Sequence, residues 1–260
     1  MLAKKAVIVT GAQQGIGAGL VEGFLKHGYN VVATSLRASE SFSPKSNLIV
    51  IDGDIRDRET AAKCVNAAVK HFGKVEVLVN NAGIFITKPF TEFTIEDFNS
   101  LVSINLLGFL HMTQLAVQQM LKQESGCVIT ISAALADNPI AGVNASVPMI
   151  TKGGLNTVTR HLAIEYAKWR IRFNAVAPGV VNTALHQENS KEHVRTLQPL
   201  RNVVEINDIF DAVLYLAHAR QVTGEVLHVA GGTHEMGGDN DGVEDDRCTR
   251  LPSSRRQQIS

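Results

Sequence analysis

Cysteine is scarce in this chain: three in 260 residues, Cys64, Cys127 and Cys248. None forms a CxxC pair, so the set excludes a disulfide framework and points to a reduced, cytoplasmic setting. Excess charge of either sign is missing as well. Lys and Arg total 25, as do Asp and Glu, so no global field draws the chain to nucleic acid or to an anionic membrane. No uninterrupted apolar run reaches the roughly 18–20 residues of a membrane-spanning helix. The opening Met1-Leu2-Ala3-Lys4-Lys5 leads into an apolar run too short for a signal-peptide core. Histidines at HExxH-like spacing are absent too, so no metal is expected. Hydrophobic residues are plentiful, at 45% of the chain with 19% charged, which suffices for a sizeable core.

Short runs rich in β-branched residues alternate with helical stretches. Ala6–Thr10, Tyr29–Ala33, Leu48–Ile51, Val75–Val79, Cys127–Ile131, Arg172–Val176 and Glu225–Val229 are apolar without alternation. That is the signature of strands covered on both faces in a parallel sheet. Between them lie amphipathic segments such as Asp57–Phe72 and Thr94–Lys122, the second opening on a capping-box-like Thr94 and Asp97. The repeat predicts an α/β fold: one doubly wound parallel sheet with helices on both faces and right-handed crossovers. Residues 1–236 read as one domain. Gly237–Ser260 has few apolar residues and reads as a flexible tail.

After the first strand comes Thr10-Gly11-Ala12-Gln13-Gln14-Gly15-Ile16-Gly17, followed by a helical stretch, Ala18–His27. Glycines let backbone approach a pyrophosphate, and the helix N-terminus offers free N–H groups to the anion. Further along stand Asn80-Asn81-Ala82-Gly83, Asn105, Lys152-Gly153-Gly154 at a helix start, and Asn174 through Pro178-Gly179 to Thr183. Together these motifs resemble the short-chain dehydrogenase/reductase family over roughly residues 3–235, most closely its bacterial 3-oxoacyl carrier-protein reductases. The resemblance implies a Rossmann-type fold and a nicotinamide dinucleotide. It assigns cofactor contacts to Gly11, Gln13, Gln14, Gly15, Ile16, Gly17, Ser35, Arg37, Asp54, Ile55, Asn81, Ala82, Gly83, Lys152, Pro178, Gly179, Val181 and Thr183. Where an NAD-selective enzyme needs a carboxylate for the ribose 2′-hydroxyl, this chain has Ser35. Arg37, two residues on, is either a partner for a 2′-phosphate or a solvated loop cation. The expectation is NADP(H) over NAD(H).

The resemblance breaks at the reacting end. The family's YxxxK tyrosine, which donates the proton, falls here on Pro148, four residues before Lys152. The family's serine falls on Ala133, with Ser132 just before it as either a displaced catalytic serine or a strand-end residue. Tyr29, Tyr166 and Tyr215 read as packing residues rather than substitute acids. His111, His186 and His193 have the right pKa range for an acid and read as surface or packing histidines. Asn105, Lys152 and Ser132 remain as catalytic candidates, Lys152 also binding ribose hydroxyls. Ala134-Leu135-Ala136, Ile140, Val143, Val147 and Met149 predict an apolar substrate pocket.

Three functions therefore stand. One is an NADP(H)-dependent oxidoreductase of divergent site acting on a small hydrophobic carbonyl or imine compound. Another is a catalytically impaired cofactor-binding sensor or partner subunit; a lyase or isomerase on the same fold is a third. The resemblance also implies a homo-oligomer, dimer or tetramer, through the long Thr94–Lys122 helix and the Gly154–Lys168 helix. A small-molecule substrate is expected, with no nucleic-acid or membrane partner.

Overall fold

The computed structural model describes residues 4–183, 198–233 and, as backbone, 256–259. Strands β1 (Ala6–Thr10), β2 (Asn30–Ser35), β3 (Leu48–Asp52), β4 (Val77–Asn80), β6 (Gly126–Ile131), β7 (Ile171–Pro178) and β8 (Val226–Val229) form one sheet. Its order is β3-β2-β1-β4-β6-β7-β8, and every neighbouring pair is parallel. The winding reverses between β1 and β4. In such sheets ligands bind beyond the carboxyl ends of the strands at that reversal, where Thr10 and Asn80 end their strands side by side.

The period of two along each strand divides the core. Val7, Val9, Val31, Val79 and Ile129 face helices α1 (Gly15–Lys26) and α6 (Ile206–His218). Ile8, Val32, Leu78, Val128 and Phe173 face α2 (Arg58–Phe72), α4 (Gly108–Gln123) and the far end of α5 (Ser146–Glu165). Phe24 of α1 is fully buried and meets Tyr29 and Phe210 edge-on, at 4.9 and 5.4 Å between ring centroids. The doubly wound sheet is as the apolar runs predict, with most strand ends moved by one or two residues.

Two helices differ from expectation in ways that shape the site. The stretch after Thr94, whose capping box with Asp97 is present, is α3 (Ile95–Leu101), a π-helical turn (Val102–Leu107) and α4 in one continuous run. Its 29 residues, Ile95–Gln123, are long and apolar enough to cross a bilayer by length and composition, although no single unbroken apolar run announced it. Met112, Ala116, Val117 and Met120 of this run pack into the core. Helix α5 opens at Ser146, eight residues before the expected start at Gly154. Pro148 is its third residue, where a missing N–H removes no intrahelical bond, so proline extends the helix rather than delaying it. Lys152 consequently lies in the second turn.

A two-stranded ribbon stands apart from the main sheet. Gly83–Ile86 (β5) pairs antiparallel with Arg256–Ile259 (β9). Four residues of the segment read as a flexible tail thus form a strand, while 237–255 and 260 lie outside the described residues.

Candidate active site

The turn after β1 is held from behind by an asparagine. Asn81 Nδ2 donates to Thr10 O at 3.0 Å and Gly11 O at 3.1 Å, and the amides of Asn81 and Ala82 both donate to Thr10 Oγ1 at 3.0 Å. A Cβ at Gly11, whose φ is +63°, would lie 2.7 Å from Ala82 Cα, and one at Gly17 would lie 2.0 Å from Gly11 O. Both positions are therefore closed to any side chain. No side chain caps the first turn of α1, which carries no acidic residue, so its N–H groups and positive dipole end suit an anion. Asn81 supports this turn from within, buried.

The other contacts assigned from resemblance divide into those gathered here and those engaged elsewhere. Thr183 lies beside Gly15, its Cγ2 3.7 Å from where a Gly15 Cβ would be. Gly179 donates to Val229 O at 2.9 Å, and Val181 bridges to Val204. These contacts bring the Pro178–Thr183 segment to the turn. Ser41 Oγ donates to Gln13 O at 2.6 Å, linking the turn to the chain after β2. Ser35 is buried at the end of β2, in register with Asp52. Arg37 is solvent-exposed and pairs with Glu40 at 3.4 Å. Asp52 accepts from Ser39 N at 2.8 Å and from Ser39 Oγ, which holds its carboxyl below the usual range. Asp54 is gripped by Arg56 through Nε and Nη2 and also held low. Ile55 packs against Gly108, with side-chain carbons 2.9 Å from a would-be Cβ.

At the reacting end, the π-helical turn seats Asn105 against β5. Its Oδ1 accepts from Ile84 N at 2.8 Å, and its Nδ2 donates to Ile84 O and to Thr151 Oγ1, each at 3.0 Å. Thr151 Oγ1 in turn donates to Pro148 O at 2.8 Å. Lys152 is buried, and its Nζ donates to Ile131 O at 3.0 Å. Burial disfavours the ammonium and pulls its pKa down to about 8. A Cβ on Gly83 would lie 3.1 Å from Asn105 Oδ1 and 3.4 Å from Lys152 Nζ. The segment 80–83 therefore joins the phosphate turn to the asparagine–lysine pair. Behind it lies a cavity of about 10 Å³ lined by Thr10, Asn80, Ala82, Asn105 and Thr130, close to the least volume that holds one water.

Other candidates are occupied by structure. The hydroxyl of Ser132 faces the neighbouring strand, with Val176 O at 3.4 Å and its own amide donating to the same oxygen at 2.8 Å. Tyr29 bonds His218 Nε2 at 2.8 Å at the opposite, N-terminal end of the strands. Tyr166 packs with Trp169 and Phe173, and Tyr215 is exposed. His111 Nδ1 is buried with no hydrogen-bond partner among the described residues. His186 and His193 lie outside them. Val147, expected to line the pocket, is buried and packs with Ile84, Ile86 and Leu101. One cluster escaped the sequence reading: Asp137 Oδ2 accepts from Asn156 Nδ2 at 3.1 Å and meets His228 Nε2 at 3.0 Å. Three residues so far apart in sequence leave no local signal.

A family model described as enoyl-(acyl carrier protein) reductase matches residues 11–234. The chain belongs to the short-chain dehydrogenase/reductase family. Among curated relatives, a tropinone reductase homologue of Arabidopsis thaliana is 35% identical, covering 86% of this chain and 91% of its own. The 3-oxoacyl-[acyl-carrier-protein] reductase of Staphylococcus aureus is 30% identical, with 88% and 98% covered. Among solved structures, ElxO with NADP bound superposes with a TM-score of 0.84 at 30% identity, covering 90% of this chain and all of its own. A 3-ketoacyl-(acyl-carrier-protein) reductase from Brucella melitensis complexed with NADH gives 0.83 at 28% identity with the same coverage. Like these family members, the chain is an oxidoreductase in lineage.

Proposed function

We propose that this protein is an NADP(H)-dependent oxidoreductase whose proton does not come from a tyrosine, acting on a small hydrophobic carbonyl or imine compound. The observation that carries this reading is Lys152. A buried ammonium with a single hydrogen-bond partner among the described residues, Ile131 O, has donors left over, and burial without acceptors is costly. Ribose hydroxyls reaching in beside Gly83 would supply those acceptors. Gly11 and Gly17 would admit the pyrophosphate against the first turn of α1, with Thr183 across from Gly15. A bound nicotinamide supplies or accepts the hydride.

The chain's own part is then binding, orientation and proton supply. Asn105 fixes β5 through both backbone groups of Ile84 and so sets the distance between Gly83 and Lys152. Lys152, with its pKa near 8, holds a dissociable proton close to neutral pH. It delivers that proton directly or through water. Losing a positioned general acid costs on the order of a hundred- to ten-thousand-fold, and that cost falls away for a cationic imine. Leu135, Ala136, Ile140, Val143 and Met149, all half-buried, support an apolar substrate. Ser35 in place of a carboxylate and the exposed fork of Arg37 support NADP(H). The pair with Glu40 is a surface contact worth little and exchanges readily for a phosphate. We further propose a homo-oligomer formed through Phe98, Leu107 and Leu110 of the long helix and Ile150 of α5, large apolar side chains that stay exposed. A cytoplasmic location fits the two described cysteines, Cys64 and Cys127, which are free and buried.

A second reading has its own observation. Pro148 and Ala133 at the two positions of proton chemistry favour a cofactor-binding sensor or partner subunit without turnover. Titrating the purified full chain with NADPH and NADH, with NADPH oxidation followed over ketones and imines, separates the two. Tighter NADPH than NADH binding with turnover is expected, with the preference lost in Arg37→Ala. Binding without turnover favours the second reading. Binding of neither nucleotide overturns both.

A further inference from the structure

Strand β5 has two edges, and they are used differently. On one, both backbone groups of Ile84 are taken by Asn105. Successive residues of a strand turn their N–H and C=O groups to opposite edges, so Gly83 and Phe85 face the other way. There they lie opposite Ile259 and Gln257 of β9, in the register Gly83↔Ile259 and Phe85↔Gln257. Gly83 is also the residue whose Cβ position is 3.4 Å from Lys152 Nζ. Paired strands run about 4.8 Å apart. The backbone of Ile259 therefore passes within one strand spacing of the residue that joins the phosphate turn to Lys152.

Resting on the reading of this site given under Proposed function, we propose that the C-terminal segment of the chain is a displaceable strap that docks on β5 and competes with nucleotide for the space in front of Gly83 and Lys152. A four-residue, two-stranded ribbon has marginal stability by itself, which suits an element that must leave. The segment is tied to the domain through 234–255, 22 residues after the last described residue of the domain, Thr233. Docking also covers a strand edge that would otherwise invite pairing with another chain.

The test compares the full chain with one ending at Met236. Amide hydrogen exchange at Gly83 and Phe85 reads the docking itself, with no cofactor needed, and the amides are expected to be protected in the full chain and to exchange freely in the shortened one. NADPH titration is expected to give on the order of tenfold tighter binding to the shortened chain, reversed by adding a peptide of residues 250–260. Gln257→Pro in the full chain removes one ribbon hydrogen bond while leaving the domain untouched, and should shift both readouts the same way. Unchanged exchange in both variants overturns the strap. Altered exchange with equal NADPH affinities overturns the competition alone. Absence of NADPH binding in every form overturns the nucleotide reading of the site, and the competition with it.

Discussion

The phosphate turn and the proton-donor side of the site are carried by the same sheet, yet the chain treats them differently. At the turn, Thr10, Gly11, Gly17 and Asn81 each follow from a steric or hydrogen-bonding demand. A Cβ at Gly11 or Gly17 would collide with backbone, and Asn81 and Thr10 lock the chain behind it. Across the cleft, the reading proposed above keeps the scaffold and drops the family's serine and tyrosine. Asn105 and Lys152 hold their partners, while alanine and proline stand at positions 133 and 148, where the resemblance to the family implies a serine and a tyrosine. The fold accommodates the proline, since Pro148 sits in the first turn of α5 without breaking a helical bond. On that proposed reading, binding and proton delivery are separable demands on one scaffold.

The sharpest way to break this comparison is to restore the missing groups together. Ala133→Ser with Pro148→Tyr should raise ketone reduction by a hundred- to ten-thousand-fold, the usual contribution of a positioned general acid. Steady-state rates with NADPH and one ketone, before and after the double substitution, measure it. An increase only for ketones, with imine turnover unchanged, would show that proton supply alone limits the parent. No increase for either would mean that the pocket, and not the acid, has diverged.

The opposite perturbation acts on the turn. Gly17→Ala places a methyl 2.0 Å from a carbonyl oxygen, so the turn must shift or α1 must move. A cost of about 3–5 kcal/mol is expected, as for other severe overpacking and backbone strain, together with loss of nucleotide binding. Denaturant unfolding and NADPH titration of the same preparation separate the two effects. Retained tight binding would show that the turn is not where the anion sits.

How much of this was legible in the sequence follows the same division. The strands were visible because residues buried on both faces are apolar without alternation, and the turn because glycine at Gly11 and Gly17 has no substitute. The start of α5 was set eight residues late, at Gly154; Pro148 is harmless at the third position of the helix that forms. The π-helical turn at Val102–Leu107 and the Asp137–Asn156–His228 cluster were invisible: the first is a small change in winding, and the second joins a loop, a helix and a strand distant in sequence. Strand β9 was hidden because polar, charged composition says that a segment will not make its own core and says nothing of an edge offered elsewhere. Lys152 was legible as a motif, but not its burial.

That burial allows the comparison to be sharpened through stability. Folding moves the Lys152 pKa from its ordinary 10.5 to about 8. The unfolded chain therefore binds the extra proton first, and stability falls as pH drops from about 10.5 to about 8, then stays at its reduced level below that. The shift corresponds to about 3 kcal/mol. Lys152→Met, similar in length and apolar, removes this cost at the loss of the bond to Ile131 O, worth about 1 kcal/mol. The variant should therefore melt a few degrees above the parent at pH 7, with the gap closing as pH rises towards 10.5. NADPH should raise the melting temperature of the parent more than that of the variant, because only the parent has an ammonium for the ribose to satisfy. A variant that is less stable at pH 7 would mean that Lys152 is held by more than Ile131, and that its cost in the empty site is not what binding relieves.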